Sequence, residues 1–249
     1  MHRFFVPPEV IQQDNRVSLT GYLVHQIHHV LRLRPGAEIV LLDNSGWEHV
    51  VELMEVSPKL VKGVVRLRRV PANEPRTKIT LYQSLLKGER FEFTLQKGTE
   101  VGIVEFVPII TDRCIVTSLT DASTKLTRWQ RVILEAAEQC GRAKFPALRP
   151  ALMFPAACEQ ASGKGLSLIP WEEETTFSLK WVLRPSAGDR PFTINLFIGP
   201  EGGFTPQEVA LAGEYGIRPV TLGPRIFRAE TAGLIAATAI LYEMGDLGK

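Results

Sequence analysis

The sequence predicts an α/β protein in which a small β-rich barrel leads into a mainly parallel sheet flanked by helices. Residues 1–72 read as short β-rich runs separated by turns. A polar stretch with two prolines, "PANEPRTK" at 71–78, then breaks the pattern as a linker would. Beyond it, strand-like and helix-like segments alternate, which implies parallel strands joined by crossover helices. Two domains are therefore expected, 1–72 and 73–249.

In the first part, "YLVHQIHHVLRLRPG" looks like a brief helix closed by Pro35-Gly36. "EIVLLDNSGWEHVVELMEV" sets two β-rich runs around Asn44-Ser45-Gly46, a hairpin signal, and "KLVKGVVRLRRV" supplies another alternating run. After the linker, "KITLYQSLL" reads as a strand, "ERFEFTLQKGTEVG" as a helix ending at Gly102, and "IVEFVPII" as a buried strand. "TRWQRVILEAAEQCGR" reads as a helix with a Thr127–Gln130 capping box and Gly141 near its end. "GKGLSLIP" and "FTINLFIG" are two further strands, and "IRPVTL" (217–222) another, followed by a helix from about Glu230.

Composition sets limits on function. At 249 residues and 45% hydrophobic, the chain can bury one large core or two smaller ones. A formal charge of +2 gives no dense cationic coat, though a local basic face remains compatible with it. Cys114, Cys140 and Cys158 are odd in number and far apart, so they form neither a disulfide framework nor a C-x-x-C pair, which suits a reducing cytosol. The start, "MHRFFVPPEV", has too short an apolar core for a signal peptide, and "AGLIAATAILY" falls short of a membrane span. A soluble cytoplasmic protein is expected, with no membrane partner.

The chemistry concentrates in "NLFIGPEGGFTPQEV", residues 195–209. An apolar strand ends in a glycine-rich loop, and Thr205-Pro206-Gln207-Glu208 starts a helix as a capping box with proline at its first position. Open α/β sheets bind ligands at such strand ends. Gly199, Gly202 and Gly203 permit close approach of a ligand to the main chain. The loop has no G-K-[ST] and no G-x-G-x-x-G, and Glu201 would repel a phosphate; a cationic or hydroxyl-rich ligand suits it better. Taken alone, the stretch fits a tight turn with a solvated glutamate equally well. A second strand–loop–helix unit, "IRPVTLGPRIFRAETAGLIAATAILYEM", favours a ligand site, because glycine loops from two neighbouring strands could share one pocket. Arg225 and Arg228 are fork-shaped cations suited to phosphate or a developing oxyanion, with ordinary surface charge as the plainer reading. Glu230 is either a functional acid or an acid favoured by a helix amino terminus.

"FIGPEGGFTPQEV" followed by "VTLGPRIFRAETA" resembles the SPOUT-superfamily methyltransferases of the RsmE type, which make N3-methyluridine in 16S ribosomal RNA of the small subunit. The resemblance extends over nearly the whole chain. It implies a PUA-like, RNA-binding barrel at the start and a catalytic domain whose carboxyl-terminal segment threads a trefoil knot. It also implies S-adenosylmethionine as cofactor and a homodimer. Carried over by position, it places Gly199, Pro200, Glu201, Gly202, Leu222, Gly223, Pro224, Ile226, Arg228, Thr231 and Ala232 around the cofactor. Phe227, Ala229 and Cys114 depart from commoner residues without removing a charge.

Within that resemblance the catalytic candidates are Arg228, Arg225 and Glu230. Uridine N3 carries a proton at neutral pH, so a base must remove it or a cation must stabilise the anion over O2 and O4. Arg228 is the expected anion stabiliser, Arg225 an alternative or a phosphate contact, and Glu230 a candidate base or a structural anchor of the loop. N3 methylation needs no cysteine attack, so Cys140 and Cys158 are expected to be bystanders. RNA contacts are expected from Arg3, Arg32, Arg34, Arg66, Arg68, Gln139 and Arg142. Glu138–Arg142 is also an i, i+4 pair on a solvated helix face. His25, His28 and His29 have helical metal-ligand spacing but no acid or cysteine partner nearby in sequence, so no metal is expected. The small residues of "AGLIAATAI" would allow close packing, in the core or across a dimer. The rival readings are a SPOUT enzyme acting at another RNA position and a non-catalytic ribosome-assembly factor. A nucleotide-dependent enzyme is disfavoured by the missing phosphate motifs.

Overall fold

The computed structural model describes residues 1–115, 118–184 and 192–248. It divides into two compact units: Met1–Glu74 with Ala137–Phe145, and Pro75–Ala136 with the chain from Pro146 onward.

The first unit is a mixed five-stranded sheet curled into a half-barrel, built from β1 (His2–Phe5), β2 (Arg16–Leu19), β3 (Glu38–Leu42), β4 (Glu48–Val56) and β5 (Val61–Arg69) in the order β1-β3-β4-β5-β2. β1 pairs β3 in parallel, and the other pairings are antiparallel. The expected β3–β4 hairpin turns at Asn44 (φ 62°) and Gly46 (φ 102°), and the Asp43 carboxylate accepts from the Ser45 amide at 3.0 Å. The helix read from "YLVHQIHHV" is α1 (Tyr22–Val24) continuing as a π-helical turn, His25–Val30. Its Ile27 is buried with Ile39, Leu41, Val51 and Leu53. Fully buried Glu48 is held by Arg3 and, at 2.8 Å, by Arg69 Nε. Burial alone would raise its pKa, but the hydrogen bonds and charges of these two arginines outweigh it and hold the carboxyl below its ordinary range.

The second unit holds a sheet of parallel strands. In chain order they are β6 (Lys78–Ser84), β7 (Glu105–Ile110), β8 (Ala147–Leu148), β9 (Leu152–Met153), β10 (Leu166–Pro170), β11 (Thr193–Ile198) and β12 (Arg218–Val220). The spatial order is β12-β10-β11-β6-β7-β8, with β9 also on β7. The helices are α2 (Arg90–Val101), α3 (Leu119–Cys140), α4 (Phe154–Ala161), α5 (Leu179–Leu183), α6 (Pro206–Glu214) and α7 (Ala229–Glu243). Alternate strand residues face opposite layers. Tyr82, Val107 and Phe197 pack with Phe154 and Ala157 of α4 and with Val209 and Ala212 of α6. Leu81 and Ile198 instead meet α7, where a Cβ on Gly233 would lie 3.2 Å from each of them. The small residues Gly233, Ala236 and Ala237 of α7 are thus buried within the chain's own core.

Three expectations are corrected. β11 and β12 are not neighbours, because β10 lies between them. α3 starts at Leu119, two turns before the expected cap, and the Ser118 hydroxyl accepts from the Asp121 amide at 3.3 Å. Thr127 and Gln130 are therefore interior residues, since a capping-box spacing inside a helix-compatible run carries no stop signal upstream of it. α4 and α5 went unread because helices of 8 and 5 residues are too short to show a period.

Asp246 clasps the start of the second unit by accepting from the Arg76 and Thr77 amides at 2.8 and 3.1 Å. Its pKa is raised by burial but lowered overall by the hydrogen bonds from Thr77 and Arg76. Both Asp246 and Glu48 have folded values below their ordinary 3.8 and 4.5, so their stabilisation is present above those values and is lost as pH falls through the folded ones. Urea unfolding between pH 7 and 3 should show stability falling only below the ordinary carboxylate range. Glu48→Gln should cost about 2 kcal/mol at pH 7, the size of a hydrogen bond to a charged group, and flatten that acid slope.

Candidate functional site

Because β6, β10, β11 and β12 are parallel, their carboxyl ends open on one edge of the sheet. The chain leaves β6 for α2 on one face and leaves adjacent β11 for α6 on the other, which opens a crevice between the two strands. A cleft of about 920 Å³ lies at this edge, lined by the loops after β10, β11 and β12. That volume suits a small organic ligand.

The glycine loop after β11 is braced from three sides. The Pro200 carbonyl accepts from the Gly203 amide at 3.0 Å, and Gly203 has φ 69°. Arg113 Nη1 donates to the Gly202 carbonyl at 2.7 Å. Glu201 Oε1 accepts from the Lys87 amide and from Arg90 Nη1, both at 3.2 Å. The expected capping box is present: Glu208 Oε2 accepts from the Thr205 amide at 2.8 Å, and the Thr205 hydroxyl accepts from the Glu208 amide at 3.2 Å. Glu208 is buried, and its other oxygen accepts from the Asp112 amide at 2.9 Å. Burial and Glu208 together push the nearby Cys158 thiol up to about 12, which leaves it inert.

The loop after β12 turns at Gly223 (φ 112°) and ends at Arg228, whose carbonyl accepts from the Thr231 and Ala232 amides at 2.9 and 2.8 Å. The side chains of Arg225 and Arg228 are exposed in the cleft. Neither guanidinium makes a hydrogen bond or ion pair among the described residues. Glu230, in the first turn of α7, has a buried Oε2 with no hydrogen-bond partner among the described residues.

The third wall, Pro170–Thr175 after β10, was missed in the sequence. Trp171 is fixed by its amide donating to the Val220 carbonyl at 3.1 Å, and its indole Nε1 is buried without a partner. Glu174 Oε1 accepts from the Thr176 and Phe177 amides at 2.5 and 3.0 Å; the Phe177 bond first, then Thr176, hold this carboxyl below its ordinary range. An aromatic directly after a weak strand was the available signal. Arg90 and Arg113 gave none, being ordinary charges at a helix start and in a loop.

Among the expected cofactor residues, Gly199, Pro200, Glu201, Leu222 and Gly223 line the cleft, as do Pro224, Ile226, Arg228 and Ala232. Gly202 faces Arg113, and the Thr231 hydroxyl turns back to the Arg228 carbonyl at 3.0 Å. Glu201 does not stand free beside the cleft; its carboxylate pairs with Arg90 at 3.2 Å. Among the expected RNA contacts, Arg32, Arg34 and Gln139 are exposed. Arg66 pairs with Glu52 at 2.7 Å and Arg68 donates to Asn15 at 2.8 Å, both at the surface. Arg3 is drawn onto buried Glu48. Arg142 is a correction: it is 4% exposed, and its guanidinium grips Glu74 at 2.8 Å, so it holds the first unit together instead of reaching RNA.

These residues fit S-adenosylmethionine. The cleft is large enough and lacks the phosphate-binding lysine motif. Its lining residues Trp171 and Glu230 hold an indole donor and a carboxylate oxygen that no protein group satisfies among the described residues, which suits a ligand carrying amine, carboxylate, hydroxyl and sulfonium groups.

The class follows from the second unit, since residues 73–241 match the family model described as RNA methyltransferase domain. The chain is 36% identical over 242 residues to ribosomal RNA small subunit methyltransferase E of Synechocystis sp., covering 96% of this chain and 77% of that protein. With the Bacillus subtilis protein of the same name, identity is 32% over 249 residues, covering 98% and 97%. The crystal structure of a ribosomal RNA small subunit methyltransferase E from Neisseria gonorrhoeae bound to S-adenosyl methionine superposes with a TM-score of 0.87, at 34% identity and with 100% of each chain covered. A Legionella pneumophila protein solved with the same cofactor gives a TM-score of 0.83, 30% identity and 96% coverage of each chain. The chain belongs to the ribosomal RNA small subunit methyltransferase E family.

If Trp171 forms a wall of the ligand site, S-adenosylmethionine should change the tryptophan emission of the protein. Trp171→Phe should abolish most of that response, measured by fluorescence titration, while a substitution at exposed Trp47 leaves it intact.

Proposed function

We propose that the protein transfers the methyl group of S-adenosylmethionine to N3 of a uridine in 16S ribosomal RNA of the small subunit. The observation that carries this reading is one cleft lined both by the braced glycine loop after β11 and by Arg225 and Arg228, whose guanidiniums are unpaired among the described residues. When bound, S-adenosylmethionine supplies a methyl group on a positively charged sulfur. Arg228, at the start of α7, stabilises the charge that develops over O2 and O4 as N3 loses its proton; its exposed guanidinium in the cleft supports that role. Arg225 serves the same anion or grips an RNA phosphate. Glu230 lines the cleft and its Oε2 has no protein donor among the described residues, which supports a base role.

Residues 1–72 act as a PUA-like RNA-binding barrel, with exposed Arg32, Arg34, Arg66 and Arg68 as contacts and Gln139 as a further one. Residues 73–249 form the SPOUT domain. The insertion of β11 between β10 and β6, followed by a return to β12 beyond β10, supports a knotted carboxyl-terminal segment. A homodimer is supported by apolar side chains left exposed on α5 and α7, Trp181 at 58%, Ile235 at 38% and Tyr242 at 68%. No helix is long and apolar enough to cross a membrane. A ribosomal substrate places the protein in the cytoplasm.

The test is methylation of small subunits from a strain lacking the native enzyme, read by nucleoside mass spectrometry. N3-methyluridine is expected, and Arg228→Ala should lower the rate about 100-fold or more when the cofactor is saturating. A different methylated nucleoside would overturn the substrate; absence of cofactor binding would favour the assembly-factor reading. A net charge of only +2 further predicts faster methylation of assembled subunits than of protein-free RNA in parallel time courses.

A further inference from the structure

Glu172, Glu174, Glu201 and Glu230 all line the cleft, but their surroundings differ. Glu174 is occupied by the Thr176 and Phe177 amides. Glu201 is occupied by the Lys87 amide and the Arg90 guanidinium. Glu172 is exposed on the rim. Of the four, only Glu230 has a buried oxygen that no donor satisfies. Such an oxygen is costly until a positive or hydrogen-bonding group faces it. The amino terminus of α7 offsets part of that cost, because a helix start favours negative charge. Arg225 and Arg228 line the same cleft without pairing with it, so they do not cancel its charge.

We propose that Glu230 gives the cleft its preference for a positively charged cofactor, favouring the sulfonium of S-adenosylmethionine over the neutral thioether of S-adenosylhomocysteine. This rests on the cofactor reading above. In the transfer, the bond between sulfur and the methyl carbon breaks with its electron pair left on sulfur, and N3 gains the methyl as its proton leaves to a base or water. The sulfur therefore loses its charge when the reaction is complete. A negative charge in the cleft wall attracts the substrate form and holds the product form less well, so the same residue that helps load the cofactor helps release the spent one.

Calorimetric titration of both ligands into the intact protein and into Glu230→Gln tests this. The amide keeps the shape and removes the charge. S-adenosylmethionine should bind about tenfold more weakly or worse, and S-adenosylhomocysteine should change by less than about threefold. Glu230→Asp, which keeps the charge, should retain most of the discrimination, and Glu201→Gln should shift both ligands alike. Equal weakening of both ligands in Glu230→Gln would overturn the proposal. So would unchanged affinities with a slowed reaction, which would leave Glu230 as a base alone. Sinefungin, which carries an ammonium where the sulfonium stands, gives a test without any variant. The unaltered protein should bind it more tightly than S-adenosylhomocysteine, and equal affinity would overturn the proposal. A protein that binds none of the three would overturn the cofactor reading itself.

Discussion

The second unit depends on β11 lying between β6 and β10. From Ile194 to Ile198 the strand is buried, because both of its edges are paired and both of its faces are covered. That is why "INLFI" reads as a nearly continuous apolar run and not as an alternating one. Phe197 stacks on Tyr82 with ring centroids 4.3 Å apart toward α4 and α6, while Ile198 packs under Gly233 of α7. Asn195, the polar exception, is buried and donates to the Lys164 carbonyl at 2.9 Å and to Ser167 Oγ at 3.0 Å. An amide that must be satisfied in the interior admits one register, and a slip by one residue would exchange the two faces. The position of the glycine loop follows from that register.

The loop is held from outside as well as from its own strand. Loops after β6 and β7 reach it through Lys87, Arg90, Arg113 and Asp112, so neighbouring strands each contribute a brace. A ligand site made of backbone needs such support, since glycines lose more conformational freedom on ordering than other residues. Glu208 shows the economy of the arrangement: one buried carboxylate caps α6 and also anchors the loop after β7.

Much of this was legible because it rests on local chemistry. The capping box at Thr205, the hairpin at Asn44-Ser45-Gly46 and the left-handed stop at Gly102 each need particular residues at fixed spacing, and each is where the spacing placed it. Spatial order was not local. Nothing in "IRPVTL" says that β10 separates it from β11, so the third wall of the cleft, with Trp171, went unseen. Arg142 failed for a related reason. An arginine four residues after a glutamate reads as a solvated pair, yet Glu74, 68 residues away, draws it into the interior. The meeting of both glycine loops in one cleft was read correctly from the wrong adjacency, because parallel strands bring their carboxyl ends to one edge even when they are not neighbours.

Charge in the cleft is divided in a way that pairing would destroy. Had Arg228 closed on Glu230, each would have neutralised the other, and the cleft would have offered little to either a cation or an anion. Exposed guanidiniums cost little when unpaired, because water solvates them, whereas a buried carboxylate oxygen is left to whatever enters. The structure keeps the first kind at the mouth and the second within the wall. A site that must hold a positively charged donor against an acceptor that becomes negative needs both signs available at once. Arg225, Arg228 and Glu230 stand around one cleft without pairing with one another, which is the arrangement the proposed transfer needs.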